Sequence, residues 1–180
     1  QSIQSVTFPA LAKISDNPTK FDEGYRRVLM LTAFIMLPVM TGLIATADDI
    51  YMLLLKPQWH PAIPYFRIMC LIGIFYPISA IAYNVLKVRS NGAIILRLEI
   101  IKKVIMTIIL ATTIPISVMA IAWGMVAAAA CEMVLNIGAT LRYAGLKLKS
   151  LATTLLPIIA LTAVMYLATE MVGYQIENLA

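Results

Sequence analysis

The stretch Arg97-Leu98-Glu99-Ile100-Ile101-Lys102-Lys103 decides how this chain folds, because no other acidic or basic residue follows it until Glu132. A helix that crosses a bilayer needs about 20 mostly apolar residues. Ala93 to Ile114 has that length only with the charge cluster counted inside it. The uncharged part alone, Val104 to Ile114, covers about half of a ~30 Å hydrocarbon core at ~1.5 Å per residue. Two readings of the lysines follow. Either their long stems carry the ammonium groups out to the interface, or Lys102 or Lys103 faces a cavity and binds an anionic group such as a phosphate. Glu99 lies three residues before Lys102 and four before Lys103, so it reaches either one on a helix.

Working outward, the 180 residues are 61% hydrophobic and 13% charged, with a mean hydropathy of +0.88. Soluble domains are about 45–50% apolar and ~25% charged. The apolar residues here come in long blocks parted by short charged segments. That pattern describes an all-α, polytopic integral membrane bundle, and it excludes an ordinary soluble domain. Five spans are expected, at about 28–47, 62–86, 93–114, 117–140 and 151–173. A polar loop from Lys13 to Arg27 precedes the first. Gln1 opens the sequence without a Met and the end falls just beyond the fifth span, so it reads as an internal piece of a longer protein, a single transmembrane region over 1–180.

Charge sets the expected orientation. Of the fourteen Lys and Arg residues, all but Lys56 and Arg67 fall before the first span, around the Ser90-Asn91-Gly92 turn, or between the fourth and fifth spans. Basic loops stay in the cytoplasm, so these ends are cytoplasmic and Trp59 and His60 belong to an outer loop. The net charge of +5 is then topology and calls for no nucleic-acid partner.

Three spans carry a polar stripe. In the fourth, Ala120, Gly124, Ala128, Glu132, Asn136 and Thr140 recur every four residues. Small residues admit a close neighbour and a carboxylate is costly against lipid, so this face points into protein or a cavity. Glu132 is either a structural hydrogen-bonding group or a protonatable site, with Asn136 and, on the fifth span, Glu170 as companions in ion or proton coupling. The second span has Tyr76, Ser79, Tyr83 and Lys87 within one broad face, with Asn84 beside it; the fifth adds Thr162 and Tyr166 to Glu170. Such stripes form either a hydrophilic cavity or a satisfied polar seam. Pro38, Pro77 and Pro157 interrupt three spans, as ordinary kinks or as hinges.

Catalytic signatures are missing from the sequence. His60 is the single histidine, no glycine-rich loop ends in Lys-Ser/Thr, and Cys70 and Cys131 lie in apolar runs as packing residues, so no cofactor or metal site is expected. Asp48-Asp49 reads as a polar stop at a helix end.

The segments Phe8-Pro9-Ala10-Leu11-Ala12-Lys13-Ile14, Tyr25-Arg26-Arg27, Lys56-Pro57-Gln58-Trp59-His60-Pro61-Ala62, Asn84-Val85-Leu86-Lys87-Val88 and Leu98-Glu99-Ile100-Ile101-Lys102-Lys103 resemble, as a set, the polysaccharide-exporter family. The resemblance implies part of one lobe of a two-lobe exporter of the multidrug/oligosaccharidyl-lipid/polysaccharide (MATE-like) type, whose N-terminal lobe lies elsewhere in the same chain. It implies a non-enzymatic flippase of the bacterial inner membrane, taking a polyprenyl-diphosphate-linked oligosaccharide from the inner to the outer leaflet by alternating access, in surface-polysaccharide or lipopolysaccharide synthesis. Polysaccharide assembly proteins would be partners, beside the lipid bilayer. The basic cavity residues of such proteins correspond in kind to Arg67, Arg97, Lys102 and Lys103, with Tyr76, Tyr83 and Asn84 as further candidates for substrate. The alternatives are a cation-coupled drug exporter of the same fold, with Glu132 as its ion site, a membrane-embedded glycosyl- or phosphotransferase, and a membrane scaffold.

Overall fold

A computed structural model describes residues 18–143 and 148–177, and all regular structure among them is helical. In order these are α1 (Pro18–Ala45), α2 (Ala47–Leu54), a 3-10 turn (Pro57–Ala62), α3 (Ile63–Arg89), α4 (Gly92–Thr113), α5 (Val118–Tyr143) and α6 (Leu148–Glu177). The chain is thus an all-α helical bundle of a polytopic membrane protein. Phe8 to Ile14 lie outside the described residues, as does Lys147.

The first finding corrects the sequence reading. Within the segment taken as a polar loop, residues 18–27 are the first turns of α1. Phe21, Tyr25, Leu29, Ala33 and Leu37 recur every four residues and are buried, while Lys20, Glu23, Arg26 and Arg27 face outward. One apolar stripe therefore runs through charged and uncharged parts of the helix alike, and packing decides where it begins. The Arg89 guanidinium sits 4.3 Å from the centre of the Phe21 ring, so the end of α3 returns to the start of α1.

Packing joins neighbours in the order α6, α1, α3, α5, α4. The most extensive contact is α3 with α5, and α4 leans on α5 far more than on α3. The main core gathers Phe21, Tyr25, Leu29 and Leu37 of α1, Ile78, Ile81 and Val85 of α3, and Leu151 and Ile158 of α6. Helices α1, α3 and α6 run through Pro38, Pro77 and Pro157 without ending.

Among the described residues, four helices are long and apolar enough to cross a membrane: Thr19–Ala45, Pro57–Arg89, Val118–Tyr143 and Leu151–Thr169. The expected third span is the difference. Helix α4 has 22 residues, enough by length, yet Arg97, Glu99, Lys102 and Lys103 crowd its first half. What α4 does with those charges is the central question of the site.

Candidate functional site

Three helices meet at one ammonium group. Lys102 of α4 is ion-paired with Glu99 one turn earlier, and its Nζ lies 3.3 Å from Oε1 of Glu132 on α5. The same Nζ stands 4.4 Å from the centre of the Tyr83 ring on α3, and the Tyr83 and Glu99 side chains are hydrogen-bonded. Lys87, one turn beyond Tyr83, brings a second ammonium to 4.5 Å from that ring. The Lys102 side chain is only 8% exposed. It points into the bundle, where two carboxylates and an aromatic face compensate its charge.

Beside this node is a cleft of about 220 Å³ between α3, α4 and α5. Tyr76 and Ser79 line it from α3, Glu99, Lys102, Lys103 and Met106 from α4, and Ala128, Cys131 and Glu132 from α5. Both lysines of the opening cluster reach it, although neighbours on a helix diverge by about 100°. Glu99 and Glu132 balance Lys102 and Lys103, so with all four ionised the lining has no formal net charge.

The small-residue stripe of α5 explains why the cleft opens where it does. Gly124 is buried, and a Cβ there would come within 2.9 Å of Thr113 Cγ2 and 3.0 Å of Ile109 Cγ2. Backbone of α5 and side chains of α4 therefore touch at that level. Further along the stripe, Ala128 and Glu132 face the cleft. Beyond them Asn136 and Thr140 turn to α3: Asn136 Nδ2 donates to Ser79 Oγ at 2.8 Å, and Thr140 Oγ1 donates to the Ala82 carbonyl at 2.9 Å. The stripe is a cavity wall in its middle and a polar seam at its end. Ser79 belongs to both, lining the cleft and accepting from Asn136.

Other candidates fall elsewhere. Arg67 pairs with Asp48 and donates from Nε to the Ile44 carbonyl at 3.2 Å, tying α3 to the junction of α1 and α2. Arg97 is exposed and does not line the cleft. Asn84 is buried, and its Nδ2 has no hydrogen-bond partner among the described residues. Thr162 and Tyr166 line a second, almost wholly apolar cleft of about 440 Å³ between α1, α3, α5 and α6. The Glu170 side chain lies outside the described residues. The pairing of Lys102 with Glu132 and the approach of Lys87 to Tyr83 were not foreseen. Only the spacing of Tyr83 and Lys87, one helical turn, hinted at the second.

Fold and site together define a helical membrane protein with a charged cleft held among three helices. Comparison with known proteins then narrows the class. The family described as "Polysaccharide biosynthesis protein" matches residues 1–64. The chain is 25% identical over 100 residues to the "Lipopolysaccharide biosynthesis protein WzxC" of Escherichia coli K12, which covers 56% of this chain and 20% of that protein. It is 26% identical over 103 residues to an "Uncharacterized membrane protein in cps region" of Klebsiella pneumoniae, covering 57% of this chain and 21% of that one. The chain thus spans about a fifth of the length of the curated relatives it matches. No solved structure matches significantly. The chain is a multi-pass relative of membrane proteins of polysaccharide biosynthesis, in keeping with the family resemblance in its sequence.

Proposed function

We propose that this chain is part of a carrier, not an enzyme, that moves a polyprenyl-diphosphate-linked oligosaccharide from the inner to the outer leaflet of a bacterial inner membrane. Lys102 and Lys103 take the diphosphate in the cleft, and Tyr76 and Tyr83 line its approach. The observation that carries the reading is the inward placement of Lys102, which is 8% exposed and lines the cleft together with Lys103. A volume of about 220 Å³ suits a diphosphate rather than a whole oligosaccharide. The sugar and the prenyl chain then lie toward the other lobe and the bilayer. The basic helix ends face the cytoplasm, where such a substrate is first met, and Arg97 and Lys87 stand on that side.

Charge balance assigns Glu132 its part. With four ionised groups the lining is neutral and offers an anion little attraction; a proton on Glu132 leaves it with one net positive charge and releases Lys102 from one partner. Anion binding and protonation of Glu132 then favour each other. Asn136 keeps α5 in register beside it, and Glu170 is the further candidate for coupling on α6. A cation-coupled drug exporter would share the Glu132 carboxylate but would have no use for two lysines beside it.

The test is flipping of a lipid-linked oligosaccharide by the full-length protein in liposomes. Lys102→Ala with Lys103→Ala should abolish it while the protein still inserts and folds. An unchanged rate would remove the lysines from the substrate path and leave them as interfacial anchors.

A further inference from the structure

At the end remote from the basic loops, α1 gives way to the eight-residue α2 at Thr46. The helix is interrupted there, since Thr46 has φ −96° and ψ 13°: Thr46 N donates to the Gly42 carbonyl at 2.9 Å, Ile50 N to the Thr46 carbonyl at 3.0 Å, and the Ile44 carbonyl accepts from Arg67 Nε at 3.2 Å. Helix α2 is therefore a separate element whose direction is set at Thr46. One side of α2 is fixed to the bundle. Ala47 is fully buried, the Tyr51 ring lies 5.4 Å from that of Phe66 on α3, and Asp48 is paired with Arg67. The other side holds Met52, Leu53 and Leu54, and the exposed apolar rim goes on through Leu55 to Trp59. Leu53 is 85% exposed, more than any other large apolar side chain among the described residues.

We infer that α2 and the 3-10 turn form an interfacial anchor whose Met52–Trp59 rim sits at the boundary between headgroups and acyl chains. Three observations select lipid as the occupant. The rim directly follows α1, whose outward side already exposes Phe34, Ile35 and Val39 to the bilayer. From Val28 to Ala45 helix α1 rises ~27 Å, close to the ~30 Å hydrocarbon core of a bilayer, so α2 begins about where the headgroup layer does. Asp48 and Asp49 precede the rim and Lys56 follows its leucines, so charged groups flank it while Trp59 supplies the amphipathic ring favoured at such a boundary. The Asp48–Arg67 pair holds the polar side of α2 against α3 and so sets which side meets the lipid.

The test uses the full-length protein in liposomes, with Cys70, Cys131 and any other native cysteine replaced by Ala. A spin label is placed at Leu53→Cys and, in a second protein, at Glu23→Cys on the exposed charged side of the first turns of α1. Molecular oxygen should relax the Leu53 label more strongly than a water-soluble nickel chelate does, and the Glu23 label should show the reverse. A Leu53 label relaxed mainly by the nickel chelate would put the rim in water and overturn the inference. Weak relaxation by both reagents would equally overturn it, because another part of the protein would then be covering the rim.

Discussion

Lys102 and Glu132, 30 residues apart in sequence, are joined across 3.3 Å and form the polar link between α4 and α5. Both the resting structure and the proposed exchange of partners depend on this contact. Because Glu132 is about half exposed, its worth should be modest. A double-mutant cycle with Lys102→Met and Glu132→Gln, read by thermal denaturation in detergent, should give a coupling of ~0.5–1 kcal/mol. A coupling of zero would mean that Glu99 alone holds the ammonium.

The proton at Glu132 is open to a separate measurement. Pyrophosphate is a convenient probe, since its own protonation is the same for every variant. In the full-length protein, the ratio of the parent's affinity to that of Glu132→Gln should rise as pH falls, because protonating Glu132 removes from the lining a negative charge that the variant lacks at every pH. Glu132→Gln fixes that neutral state, so its affinity should equal or exceed the parent's and should lose the part of the pH dependence that Glu132 supplies. An identical pH profile in both proteins would take Glu132 out of the coupling.

Asn136 gives a prediction with a sign. Its Nδ2 donates to Ser79, while its Oδ1 is buried without a partner among the described residues. Asn136→Leu loses the short bond to Ser79 Oγ and a longer one, 3.4 Å, to the Ser79 carbonyl, but also removes an unsatisfied acceptor, so it should cost no more than about 1–2 kcal/mol. Asn136→Asp replaces the donor with a second acceptor beside the Ser79 carbonyl and should cost clearly more. Thermal midpoints of the two variants decide the order.

Gly124 tests the close approach of α4. The groups that a Cβ would meet, Thr113 Cγ2 and Ile109 Cγ2, are methyls of β-branched residues with little freedom to move. Gly124→Ala should therefore destabilise the α4–α5 contact by about 1–3 kcal/mol. Adding Thr113→Ala should restore part of the loss. If Gly124→Ala has no effect, the two helices are not in contact at this level.

The two cysteines report on the cleft without mutation. Cys131 is exposed and lines it, whereas Cys70 is buried in α3. A small water-soluble maleimide should label Cys131 in the native protein at least about tenfold faster than Cys70, and pyrophosphate should slow that labelling. Equal rates would mean that the cleft is closed to water.

Much of the bundle could be read from residue order. Hydropathy blocks mark α3, α5 and α6 within a few residues, and the four-residue recurrence from Ala120 to Thr140 identifies the face of α5 that is packed. The start of α1 escaped because Lys20, Asp22, Glu23, Arg26 and Arg27 lower the local hydropathy while Phe21 and Tyr25, on a single stripe, remain buried. Average composition conceals a one-sided pattern when the other sides are charged.

By itself the sequence determined that the chain is a helical membrane protein, that α4 carries an awkward concentration of charge, and that Glu99 stands within a turn of Lys102. These follow from composition and from the fixed period of a helix. Tertiary structure alone decided that Lys102 turns inward, that Glu132 is its second partner and Tyr83 its platform, and that Arg67 is engaged at the opposite end. Helical period fixes the angle between residues on one helix, but leaves each helix free to rotate against its neighbours. That rotation is set by side-chain packing, here by Gly124 against Thr113 and by Asn136 against Ser79.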